Sequence, residues 1–351
     1  TNNAKSNAGV TVVTVGLKSN LKKGSKRIYS NNKIKIVDNI SPYLTENDNL
    51  IITNRFKTIS NFPTISLGNA PKDDGGLILS EKEFLDSIEL YPILEKYIKK
   101  FIGAEELING TIRYCLWIKD EDLNEISTIP EIKRRLDICK TMRINSKKIP
   151  TQKLGDYPHR FGEIRHKESN SIIIPSVSSE KRIYIPCSFL DSNFVISNSA
   201  FAIYEADFWM FGVVCSLMHM SWVKSVAGRL ESRIRYSSQL CYNTFPFPKI
   251  SEAQKQELTQ CVFRILEERE NHSEKTLAQL YDPDKMPQGL REAHRLNDLA
   301  VERCYRSKPF ESDEERLEYL FKLYEQMIAE EKVKDTLFQE EKKAKKTKKI
   351  K

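Results

Sequence analysis

The run Gly9–Leu17 (GVTVVTVGL) is almost entirely β-branched or apolar and carries no charge. Valine and threonine are stiff about χ1 and fit a pleated surface. An uninterrupted run of this kind suits a strand covered on both faces, as in the middle of an α/β sheet. Such a strand needs neighbours and crossover helices, and the polar stretch Thr1–Ala8 supplies neither. Residues 1–20 therefore read as one orphan strand, the last of a larger domain whose other elements lie upstream.

The residues that follow are basic and rich in Gly, Ser and Asn, so 21–40 reads as a linker. Strand-like runs come next at Ile34–Val37, Asn49–Thr53, Ile65–Leu67, Leu77–Leu79, Thr111–Trp117, Ser171–Val177, Arg182–Pro186, Phe194–Ser197 and Phe201–Tyr204. Helices are expected from Ser80, which has Glu83 at capping-box spacing, and over Tyr91–Phe101, Pro130–Ile144 and Phe208–Ala227. Two prolines in Asn243–Pro248 break the pattern. Beyond them Leu258, Cys261, Val262, Ile265 and Leu266 fall on one helical face behind a Ser251/Gln254 capping box. Ser312 opens another helix, with Leu317, Leu320, Tyr324 and Met327 on one face. The fold class is α+β: a mixed-sheet domain over 41–249, then an all-helical domain over 250–340.

Seven of the 56 basic residues are lysines between Lys342 and Lys351. Without them the net charge of +8 falls to 8 − 7 = +1, so any basic surface on the body is a local patch. The tail, 341–351, reads as disordered. Seven cysteines without a CxxC pair argue against a disulfide framework or a zinc site and suit a reducing cytoplasm. The longest apolar run, Phe208–Val223, is too short for the ~20 residues of a membrane span.

Catalytic motifs are missing. No glycine-rich loop follows a strand, and His159 and His166 are not spaced as a helical metal pair. The Asp73-Asp74 and Asp284 carboxylates sit in turn-like sequence. Two basic stretches remain. Gly228–Tyr236 (GRLESRIRY) puts Arg229, Glu231, Arg233 and Arg235 on one face if it is extended. Arginine can donate twice to guanine, and a carboxylate can accept from cytosine N4, so Glu231 and Arg233 could read one C·G pair. A surface ion-pair ladder accounts for the same residues. The second stretch holds Lys147, Lys148, Lys153, His159, Arg160, Arg165, His166 and Lys167, which suits phosphate contacts or a solvated loop.

Several strings, in order, resemble the C-terminal part of the MmeI-like restriction-modification enzymes and YeeA-type DNA methyltransferases. They are NAGVTVVTVGL (7–17), NISPYL (39–44), Gly68-Asn69-Ala70-Pro71 with Asp74-Gly75-Gly76, and KYIKKFIGAEELINGTIRYCLWI (96–118). FGEIRH (161–166), PSVSSEKRIYIP (175–186) and MHMSWVKSVAGRLESRIRYSSQLCYNTFPFP (218–248) complete the set. The resemblance implies a type IIG adenine-specific methyltransferase of phage defence that uses S-adenosylmethionine, with Mg where a nuclease is fused to it. No cofactor would belong to these residues themselves. It implies a target recognition domain over 41–249, followed by a helical C-terminal domain. Residues 1–20 become the end of the upstream methylase domain, the expected partner besides double-stranded DNA. It further implies base reading by Glu231 and Arg233 and, more loosely aligned, by Ser199 and Arg235. Arg229, Lys224, Lys147, Lys148, Arg160, Arg165 and His166 are the candidates for the DNA backbone. A competing reading is a protein-interaction subunit or scaffold of a phage-defence methylase complex, for which the helices after 250 would expose a large apolar stripe.

Overall fold

In the computed structural model the described residues are 14–17, 19, 25–30, 33–46 and 50–348, with side chains excluded at 30, 33 and 334–348. The strand expected over Gly9–Leu17 lies mostly outside them. Thr14–Leu17 pair with no strand, and Val15 and Leu17 are exposed.

Strands β1 (Lys26–Ser30) and β2 (Lys33–Val37) form an antiparallel hairpin. The hairpin lies within the stretch expected as a linker over 21–40 and takes in the strand expected at Ile34–Val37, where Ile34 and Ile36 alternate with lysines. Then come β3 (Ile65–Leu67), β4 (Ile78–Leu79), α1 (Glu81–Leu90), β5 (Ile98–Ile102), α2 (Ala104–Asn109) and β6 (Arg113–Leu116). Helices α3 (Leu123–Ile126), α4 (Pro130–Ile144) and α5 (Ile149–Gln152) lead to β7 (Ser171–Pro175), β8 (Val177–Ser178), β9 (Ser188–Leu190), β10 (Phe194–Ile196) and β11 (Ala200–Tyr204). Helices α6 (Phe208–Val214) and α7 (Leu217–Val226) precede β12 (Gly228–Leu230) and β13 (Arg233–Arg235). The chain closes with α8 (Glu252–Glu270), α9 (Leu277–Leu280), α10 (Gln288–Arg303) and α11 (Asp313–Lys348).

Two four-stranded sheets, ordered β10-β5-β6-β4 and β3-β11-β7-β9, carry the middle of the chain, and a small sheet, β12-β13-β8, stands beside them. The first is mixed, because β10 runs parallel to β5 while the other pairs are antiparallel. In the second, the central strands β7 and β11 are buried at every residue, which is why Ser171–Pro175 (SIIIP) and Ala200–Tyr204 (AFAIY) show no polar alternation.

The capping boxes at Ser80/Glu83 and Ser251/Gln254 form, and Pro130 opens α4. Other expectations change. Tyr91–Phe101 is not a helix: Pro92 starts a short 3-10 turn, and Ile98–Ile102 pairs as β5 with β6 and β10. Phe208–Ala227 is two helices, because Ser216 accepts the His219 N–H and starts α7 afresh. Of the run expected over Asn49–Thr53 the described residues, Leu50–Thr53, join no sheet, and neither does Arg182–Pro186. In the described part of the basic tail α11 continues to Lys348 through a Gly- and Pro-free run of good helix formers.

The largest core joins the sheet β3-β11-β7-β9 to the C-terminal helices. Ile172, Ile174, Phe201 and Ile203 share it with Leu258, Val262, Leu290, Val301 and Phe321. Residue 250 thus marks a change of sequence character and not a gap in packing. At the seam, Arg269 donates to Tyr281 Oη and to the Cys187 carbonyl, and Tyr281 Oη also pairs with His294 Nε2. A separate core lies between α4 and the sheet β10-β5-β6-β4.

Candidate nucleic-acid interface

The segment Gly228–Arg235 is not one extended strand, as the alternation of its charges suggested, but a two-residue hairpin. Gly228 pairs with Arg235, Arg229 with Ile234 and Leu230 with Arg233, leaving Glu231 and Ser232 in the turn. Glu231 takes φ 57°, the positive value that tight hairpins require. Residues opposite one another share a face, so Arg233 and Arg235 lie with Gly228 and Leu230, and Arg229 lies with Ile234 on the other.

That division is fixed by burial. Ile234 is 3% exposed and joins the main core, while Arg233, Arg235 and Leu230 stand in solvent. Burying one isoleucine contributes about 1.5–3 kcal/mol, enough to decide which face of so short a hairpin points outward. Glu231 and Arg233 form an ion pair of 3.0 Å, with side chains 78% and 50% exposed. A pair so open to water contributes about 0–1 kcal/mol and separates readily to meet other partners. Arg229 donates to the Lys224 carbonyl in the last turn of α7, and Lys224 lies 3.9 Å from Asp313 at the start of α11. Both therefore brace the base of the hairpin.

The hairpin is anchored next to the turn between β10 and β11. Val177 pairs with Arg235, and the Tyr236 N–H donates to the Ser176 carbonyl. Ser176 in turn donates its N–H (3.1 Å) and its hydroxyl (2.5 Å) to the Ser199 carbonyl. Ser199 and Arg235, far apart in sequence, are thus joined through Ser176 and Val177, and both are exposed. Asn69, fully buried, completes the frame. Its amide donates to the Ile196 carbonyl, and its Oδ1 accepts the N–H groups of Arg165 and His166.

The second basic cluster does not form one surface. The His166 side chain is buried between Trp117 and Tyr204, away from solvent, and burial lowers its pKa. His159 is likewise buried against Asp120, with its pKa lowered by burial and then by Arg143. Arg165 is held by the Gly68 carbonyl at 2.8 Å and Glu163 at 2.5 Å, and Arg160 by Asp120 over the Tyr157 ring. Lys147, Lys148 and Lys153 stay exposed, and Lys167 pairs with Glu205. What organises this stretch is Arg143, whose guanidinium donates to five carbonyls, those of Pro71, Lys72, Leu154, Tyr157 and Arg160.

Sequence reasoning missed Ser176, Val177, Asn69 and Gly103 as supports of the site. Ser176, Val177 and Asn69 act by contact with the main chain of distant segments, which leaves no periodic signal. Gly103 acts sterically: a Cβ there would meet Ser199 Oγ at 2.2 Å.

Comparison with known proteins identifies the two domains. The family profile "MmeI, target recognition domain" matches residues 46–249, and "MmeI, C-terminal domain" matches 250–331. DNA methyltransferase A of Bacillus subtilis (strain 168) is 46% identical over 326 residues, which are 93% of this chain and 37% of that protein. The solved structure of the type IIL restriction-modification enzyme MmeI in complex with DNA superposes with a TM-score of 0.79 at 36% identity, covering 88% of this chain and 42% of that one. The chain thus spans well under half the length of both relatives.

Proposed function

Because this chain belongs to the MmeI family, whose target recognition and C-terminal domains it carries, we propose that it reads base sequence in double-stranded DNA through the β12–β13 hairpin. The observation that supports this most is the outward face of β13. Arg233 and Arg235 are exposed one strand repeat apart, with Glu231 beside them in the turn, on a hairpin pinned by Ile234. A two-stranded ribbon fits the major groove. Alternate residues on a strand are about 7 Å apart, close to two base-pair steps of about 3.4 Å. Arg233 and Arg235 therefore address base pairs about two steps apart. Glu231 accepts from cytosine N4 while Arg233 donates to the guanine of the same pair. Ser199 lines the groove beside Arg235. Lys147 and Lys148 remain for the phosphates.

This recognition serves an N6-adenine methyltransferase using S-adenosylmethionine, in a restriction-modification system of phage defence, with Mg where a nuclease is attached. The strand-to-helix turn at Gly103 does not fit that cofactor, because it is filled by the hydroxyls of Ser197 and Ser199. Methyl transfer is therefore assigned to another part of the protein, against which this part docks. The scaffold reading gains no support: the apolar faces of α8, α10 and α11 are buried in the shared core, and Phe263 and Val333 are the large apolar residues exposed there among the described residues.

Selection of bound duplexes from a random pool, at two salt concentrations, tests the proposal. The double variant Glu231→Lys/Arg233→Asp is expected to exchange C for G at one position while binding persists. An unchanged motif refutes the assignment, and binding without any motif that falls steeply with salt reduces the interface to phosphate contact.

A further inference from the structure

We propose that Ser197 fixes the Ser199 hydroxyl as a hydrogen-bond donor toward DNA, so that Ser199 and Arg235 together select a base edge presenting acceptors and reject cytosine. The inference rests on the hairpin face being the base-contacting surface.

It follows from counting hydrogen bonds. A serine hydroxyl has one proton and two lone pairs. Ser199 Oγ accepts the Ala104 N–H at 2.9 Å and lies 3.0 Å from Ser197 Oγ. Ser197 is 4% exposed, and its oxygen already accepts the Ser199 N–H at 3.2 Å. Its proton needs an acceptor, because a buried donor left unpaired is costly. Among the described residues the acceptor in reach is Ser199 Oγ. Both lone pairs of Ser199 are then occupied, one by Ala104 and one by Ser197. Its own proton is left for the solvent side, where Ser199 is exposed.

Gly103 makes this arrangement possible. A Cβ at that position would sit 2.2 Å from Ser199 Oγ and 2.7 Å from Ser197 Oγ, so any larger residue would push the two hydroxyls off the start of α2. Arg235 adds only donors, since a guanidinium accepts nothing. Ser199 and Arg235 thus make a surface that donates and cannot accept. In the major groove guanine and thymine present carbonyl oxygens, and both purines present N7. Cytosine presents its N4 amino donor. Donor would face donor, and cytosine is excluded at the position that Ser199 addresses.

The test is duplex selection from a random pool with the full-length protein and its Ser199→Ala, Ser197→Ala and Ser197→Thr variants. The parent is expected to deplete cytosine at one position, identified as the one whose preference Ser199→Ala changes. Ser197→Ala frees a lone pair on Ser199 and is expected to raise cytosine there about tenfold, the scale of one hydrogen bond gained or lost. Ser197→Thr keeps the hydroxyl and is expected to keep the parent profile, and the position read by Glu231 and Arg233 is expected to stay unchanged in all variants. Cytosine accepted by the parent at the Ser199 position overturns the proposal whether or not Ser197→Ala folds. So does a folded Ser197→Ala with the parent profile. A parent that yields no motif removes the hairpin reading as well, whereas a clear motif that Ser199→Ala leaves untouched removes only this inference.

Discussion

Tyr236 follows the last base-facing arginine, and replacing it tests how the reading strand is held. Its ring is buried against Phe201, and its hydroxyl pairs with His219 Nε2 at 2.9 Å inside the core. His219 is fully buried, and its Nδ1 has no hydrogen-bond partner. Tyr236→Phe keeps the ring and creates no cavity, but it strips the imidazole of its remaining side-chain partner. Leaving a buried polar group unpaired costs about 1–3 kcal/mol, and His219→Leu alone leaves the Tyr236 hydroxyl unpaired at a similar cost. The double variant removes both partners, so its loss is expected to fall short of the sum of the singles by about 1–3 kcal/mol. Urea unfolding of the four proteins at pH 7.5, followed by circular dichroism, measures this cycle. Base preference is expected to be unchanged in Tyr236→Phe, because the main-chain bond from Tyr236 to Ser176 does not involve the hydroxyl. Additive losses in the cycle would refute the buried pairing, and a shifted motif would refute the claim that the main chain holds Arg235.

Two further outcomes are expected. Burial lowers the His219 pKa to about 3 and raises the Asp298 pKa to about 7, the latter opposed by bonds from Leu217 N–H and the Tyr184 hydroxyl. Neutral His219 therefore contributes stability above pH 6.5 that is lost as pH falls toward 3, while Asp298, protonated when folded, contributes stability at low pH that is lost as pH rises from about 4 to 7. Asp298→Asn is expected to make stability rise more steeply with pH between 4 and 7 in urea melts, and an unchanged slope would show that Asp298 titrates normally. Separately, Glu231→Gly suits the positive φ and loses only an exposed ion pair, so stability is expected to stay within about 1 kcal/mol of the parent by thermal melting. Duplex selection with that variant is expected to lose preference at a single base pair, and a cooperative loss of folding would mean that Glu231 is structural.

The sequence alone determined much of the framework. Capping boxes, the proline-opened α4, the apolar runs of β7 and β11 and the change of character near residue 250 are all local signals. Each concerns residues within one or two turns of one another, where side-chain chemistry acts directly on the adjoining backbone. The unusual charge pattern of GRLESRIRY was also legible, an arginine-rich segment with a carboxylate in a body of nearly neutral charge. Its conformation was not. Charge alternation fits an extended strand and a hairpin equally, and the choice came from Ile234 entering a core built by residues far along the chain. The same holds for the basic cluster at 147–167, where His159, Arg165 and His166 looked like solvent-facing cations. Tertiary packing buried the two imidazoles against Asp120 and the Trp117 ring and tied the half-buried Arg165 to the Gly68 carbonyl. The meeting of Ser199 with Arg235 was likewise decided only in three dimensions. It depends on backbone hydrogen bonds through Ser176, and a main-chain amide or carbonyl is the same in every residue, so its partner cannot be read from the side chain it carries.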